Sequence, residues 1–173
     1  MDELTKMRLL QLLELGKRGK DIATQARALD ELIYRIFDLI PGVSITERTK
    51  PNNINNGKLE LAAWNNQDAE GLYFLPNIIL FAATGWQESA GGSDLEAFYK
   101  RMKALGLPFG VFFAFGGLST DLEERTETRS ILAASLAEEL QIIVLTNRDI
   151  ERINDAAQLV TLFKRKVCEL AVS

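Results

Sequence analysis

Two continuous apolar runs, residues 77–84 (NIILFAAT) and 109–115 (FGVFFAF), constrain this chain more than any other feature. Runs this short and this apolar suit strands covered on both faces. The segment between them changes period. Leu95, Phe98, Met102 and Leu105 form a helical stripe, which Ser93 and Glu96 open as a capping box and Gly106 stops. Strand, helix and strand at this spacing make a βαβ unit, which implies parallel neighbours and a right-handed crossover.

The flanking sequence extends that unit on both sides. Residues 20–40 step by threes and fours through Ile22, Ala26, Leu29, Ile33, Ile36 and Ile40, a helix ended by Pro41 and Gly42. Val43 and Ile45 then alternate with Ser44 and Thr46. After the polar stretch TKPNNINNG, residues 58–64 alternate again, and NQDAEG reads as a hairpin loop. Downstream, Thr120 and Glu123 are a second capping box opening a helix over 121–140. QIIVL at 141–145 is a further strand, and helices follow near 147–155 and 157–170. The expected fold is α/β, with a mixed sheet that begins as an antiparallel meander, becomes parallel, and carries helices on both faces. One domain is expected over residues 1–173, with a helical N-terminal extension at about 2–19. Leu4, Met7, Leu9, Leu10, Leu12 and Leu13 cover too much of that extension for a solitary exposed helix, so it packs on the domain or on a partner.

Composition removes several kinds of chemistry. The 47% hydrophobic and 25% charged content suits a packed core and not a disordered chain. There is no histidine, so histidine bases, Ser–His and Cys–His pairs and histidine-ligated zinc are excluded. The single cysteine, Cys168, allows neither an internal disulfide nor a multi-cysteine zinc site, and a small buried hydrophobe is its expected role. A net charge of -4 does not suit indiscriminate binding of nucleic acid. No apolar run approaches the ~20 residues that span a bilayer. No membrane partner is expected, and the N-terminus lacks the features of a signal peptide, so a cytoplasmic location is expected.

The order of elements, αβββαβ, resembles the core of the PD-(D/E)XK restriction-endonuclease-like superfamily, in particular its Mrr-like branch, over residues 26–152. In that family the first core helix often carries a glutamate; Glu31, in LDELIYRIFDLI, matches it. The second strand carries the key aspartate, often after a glycine; here Gly57-Lys58-Leu59-Glu60-Leu61 places Glu60 there. The third strand supplies (D/E)-x-K and then often an aromatic residue; here Ala82-Ala83-Thr84-Gly85-Trp86 puts Ala82 at the acid, Thr84 at the lysine and Trp86 at the aromatic position. GLPFGVFFAFGGLST and IIVLTNRDIERI resemble the family's later strands.

The resemblance implies a nuclease scaffold without its cleavage set. Hydrolysis of this kind uses Mg²⁺ held by oxygen ligands and a lysine beside the water. Alanine offers a cation nothing, and threonine offers one neutral hydroxyl. The expected function is therefore binding, with no cofactor: of a protein partner, of a second copy through the N-terminal helix, or of nucleic acid read without cutting. The alternative is a Mg²⁺-dependent DNA endonuclease whose site has migrated, rebuilt from Glu31, Glu60, Glu88 and Lys100, with Lys58 on the same face as Glu60 and Glu60 as the metal ligand. A structural or regulatory module without a ligand site is the third reading. Beside these stand plainer roles. Glu31 is also a solvated helix residue, and Glu60 also a partner for Lys58. Lys100, Arg101 and Lys103, like Lys164, Arg165 and Lys166, are also solvated helix faces. Trp64 and Trp86 are packing residues as readily as base-stacking ones. Gly110, Gly116 and Gly117 precede no lysine–serine or lysine–threonine pair and make no phosphate loop.

Overall fold

A computed structural model describes residues 2–48, 59–84 and 89–172. The helices are α1 (Glu3–Arg18), α2 (Ile22–Asp38), α3 (Gly92–Leu105), α4 (Leu122–Ala137), α5 (Asn147–Glu151) and α6 (Ala156–Val172). The strands are β1 (Val43–Arg48), β2 (Leu59–Asn65), β3 (Ile78–Thr84), β4 (Phe109–Ala114) and β5 (Gln141–Thr146). They form one open sheet in the order β1-β2-β3-β4-β5. β1–β2 and β2–β3 pair antiparallel, and β3–β4 and β4–β5 pair parallel. The meander and the βαβ unit are thus both present.

Alternation along the strands divides the interior into two cores. Leu59, Leu61 and Ala63 of β2, Phe81 of β3, Phe113 of β4 and Leu145 of β5 face one side, where α1, α2 and α6 pack. Leu80, Phe112 and Ile142 face the other, against Leu95, Phe98 and Met102 of α3 and Ile131 and Leu132 of α4. β4 is buried at all six positions, as its unbroken apolar run requires. Gly110 is what lets α3 come this close. A Cβ there would lie 2.6 Å from Met102 Sδ and 2.7 Å from Phe98 Cζ.

Helix starts differ from the sequence expectation by a residue or two. α3 is capped at Gly91, whose amide donates to Asp94 Oδ2, and not at Ser93 with Glu96. α4 is capped by Asp121, which accepts from the amides of Glu123 and Glu124, and not by Thr120. In α4 the Asp121 carboxylate satisfies two free amides of the first turn, and in α3 the Asp94 carboxylate reaches back to the amide of the cap residue itself. Ile22 is exposed because it opens α2 ahead of the buried stripe that starts at Ala28, and Leu105 is exposed at the end of α3. Cys168 is exposed as well. The buried stripe of α6 passes through Leu159, Leu162 and Phe163, and residue 168 is turned about 100° from half-buried Val167.

The loop from β2 to β3 is organised by Asn65, which is fully buried. Its Nδ2 donates to the carbonyls of Leu72 at 2.7 Å, Pro76 at 3.1 Å and Leu75 at 3.3 Å, and its Oδ1 accepts from the Gln67 amide at 3.0 Å. That last bond holds Gln67 at its positive φ of 58°.

Helix α1 belongs to the core. Leu9, Leu12 and Leu13 are buried in the first cluster. Polar ties reinforce the docking: Lys6 Nζ donates to the carbonyls of Glu151 and Ile153, and Lys17 Nζ bonds Glu151 Oε1 at 2.8 Å. Its outer side keeps Leu4 (75% exposed), Met7 (49%) and Leu15 (43%) in solvent. The leucine excess therefore divides between the core and an uncovered face.

Candidate functional site

The antiparallel register of β2 and β3 sets Glu60 directly opposite Ala82. Thr84 lies two residues further along β3, so all three positions share the face of the sheet that α3 covers. The structure thus brings together three of the positions singled out in the sequence. Glu88, Gly57, Lys58, Gly85 and Trp86 lie outside the described residues.

Glu60 is half-buried, and Arg101 of α3 claims its carboxylate. Arg101 Nε donates to Oε1 at 3.0 Å and to Oε2 at 3.3 Å. Ala82 adds a methyl group. Thr84 is 2% exposed, and its Oγ1 has no hydrogen-bond partner among the described residues. One carboxylate already tied to a guanidinium, one methyl and one neutral hydroxyl do not suit a divalent cation, which needs several free oxygen ligands. No group of three acidic or cysteine side chains that could hold a metal occurs among the described residues.

The two other candidates face elsewhere. Glu31 lies on α2, across the sheet from Glu60. It accepts from Arg8 Nη2 at 2.9 Å and Arg35 Nε at 2.9 Å, joining α1 to α2. The hydrogen bond from Arg35, with Arg8 adding to it, holds its carboxyl below the usual glutamate range. Lys100 is well exposed and pairs with Glu96 one turn back on α3 at 2.9 Å. Its neighbour Arg101 makes the reach to Glu60. Sequence reasoning grouped Arg101 with the solvated lysines of that helix. The signal for it was present: Arg101 sits three residues after Phe98, beside the buried stripe, and so at the margin where α3 meets the sheet. Trp64 is exposed, and its indole N–H bonds Asn66 Oδ1 at 2.7 Å.

No described helix is long and apolar enough to cross a membrane. No protein-family model matches the chain, and no curated protein matches it.

Proposed function

We propose that this domain is a nuclease-like scaffold that binds and does not cut. The observation that carries this reading is the pairing of Glu60 with Arg101 opposite Ala82. The position that resembles a metal-ligating acid is neutralised by a guanidinium, and the strand beside it offers no acid and no lysine. The element order α2-β1-β2-β3-α3-β4, in which β3 opens the βαβ unit, supports the likeness to the PD-(D/E)XK scaffold. The rebuilt site of the alternative finds less support: Glu31 is across the sheet and bound to two arginines, and Lys100 is engaged with Glu96. The binding reading assigns the exposed side of α1, around Leu4, Met7 and Leu15, to contact with another protein, since clustered apolar side chains in water mark interaction surfaces.

Supercoiled, linear and single-stranded DNA incubated with the purified protein in Mg²⁺ or Mn²⁺ should stay intact, with the Glu60→Ala variant indistinguishable from wild type. Cleavage that vanishes in Glu60→Ala would overturn the proposal and establish a working site on β2.

A further inference from the structure

The corner between α5 and α6 holds a pocket of about 250 Å³. Ile153 and Leu162, both buried, give it an apolar wall, and Asp149, Arg152, Gln158, Thr161 and Arg165 give it a polar one. The backbone beneath is pinned. Lys6 Nζ donates to the carbonyls of Glu151 and Ile153, on either side of Arg152.

The polar groups divide into donors and acceptors. The Arg152 guanidinium makes no hydrogen bond or ion pair among the described residues. Arg165 stands 3.9 Å from Asp149 Oδ1 and 3.7 Å from Glu169 Oε1, which are ion-pair distances beyond hydrogen-bond range. Both forks can therefore turn their N–H groups to a better-placed acceptor. Gln158 Oε1 accepts from the Asn154 amide at 2.9 Å, which leaves Nε2 as a third donor. On the acceptor side, Asp149 uses one oxygen and keeps the other. Its Oδ2 accepts from the Thr146 amide at 2.9 Å and the Thr146 hydroxyl at 3.1 Å, with Lys166 Nζ at 3.6 Å. Its Oδ1 accepts no hydrogen bond among the described residues. Thr161 Oγ1 donates to the Ala157 carbonyl at 2.9 Å, so towards the pocket it is an acceptor as well.

Two guanidiniums against one carboxylate leave the pocket positive, which selects an anion. An anion without a hydrogen, such as sulfate or an ionised carboxylate, would set oxygen against oxygen at Asp149. Phosphate that keeps one proton fits both halves: it accepts from the arginines and Gln158, and its P–OH donates to Asp149 Oδ1. The second pKa of a phosphate monoester is about 6, so that form is within reach at neutral pH. We infer that this pocket binds a singly protonated phosphate, as the free ion or as the monoester of a small molecule. Arg152 and Arg165 meet its charge, and Asp149 is the repulsive element that rejects unprotonated anions.

The full chain titrated with inorganic phosphate at fixed ionic strength, followed by backbone amide shifts, should show saturable changes around residues 149–165. Phenyl phosphate binding more tightly would identify the monoester as the ligand, and the reverse order the free ion; either supports the site. Sulfate, and dimethyl phosphate as a diester without a P–OH, should bind at least tenfold more weakly. Arg152→Gln should weaken phosphate at least tenfold. Lys164→Gln should not, because that ammonium lies over the Tyr73 and Phe74 rings. Asp149→Asn keeps an oxygen for the Thr146 amide and turns an NH₂ group to the pocket, so it should admit sulfate. Circular dichroism must show each variant folded. Shifts that never saturate, sulfate or the diester matching phosphate in the wild type, or unchanged binding by Arg152→Gln would overturn the proposal.

Discussion

Asn65→Ala tests whether the β2–β3 loop hangs on one buried amide. The cost can be worked through bond by bond. Leu72 O would keep the Leu75 amide at 3.1 Å, and Leu75 O would keep Gln67 Nε2 at 2.8 Å. Pro76 O and the Gln67 amide would lose the Asn65 side chain that each bonds. Two hydrogen bonds lost at a site closed to water cost about 1 kcal/mol each, and the space left by the amide adds about another. The expected loss is about 2–3 kcal/mol, which in a chain of this length lowers Tm by about 5–10 °C. Urea denaturation followed by circular dichroism measures it. Asn66→Ala, which removes an exposed bond to Trp64, should cost under about 0.5 kcal/mol. Asn65→Asp should be worse than Asn65→Ala at neutral pH, because it sets a carboxylate against three carbonyl oxygens, and its deficit should shrink as acid protonates that group. An Asn65→Ala variant within about 0.5 kcal/mol of wild type would refute the reasoning.

Two further predictions follow from packing and charge. Gly110→Ala forces a methyl group against Met102 and Phe98; an equilibrium unfolding curve should show a loss of about 1–3 kcal/mol. Glu31, with its carboxyl held below the usual glutamate range, contributes stability above the unfolded-state pKa of about 4.3 and loses it as the pH falls through the lower folded value. Glu31→Gln should therefore be less stable than wild type at pH 7 by about 0.5–1 kcal/mol, since these partners are more than a third exposed, and equal to it near pH 2.

Much of the fold could be read from period alone. The strands at 77–84, 109–115 and 141–145 and the stripe Leu95–Phe98–Met102 depend on local alternation and on burial that neighbouring residues share. Details failed where position outweighed pattern. Ile22 and Leu105 fit their stripes and are exposed, because a helix end can outrun the core that covers its middle. The resemblance to the nuclease superfamily put Glu60, Ala82 and Thr84 at neighbouring site positions, and the plain reading of the strand paired Glu60 with Lys58. The partner is Arg101, 41 residues away, and which of several adjacent cations reaches a carboxylate depends on how α3 is rotated over the sheet. Asn65 went unnoticed for a similar reason: three carbonyls around one amide are a property of the folded loop and leave no mark on composition.

The lysine ties of α1 bear on how the protein is made. Lys6 anchors on carbonyls 145 and 147 residues downstream. At roughly 5–20 residues per second, a ribosome needs about 7–30 s to deliver those anchors after the lysine has been synthesised. Over that interval Leu9, Leu12 and Leu13 have left the ribosome before the downstream part of the core they enter. In that time the helix can pack on α2, which follows it directly, while its lysine ties to the α5 end of the fold wait for their acceptors.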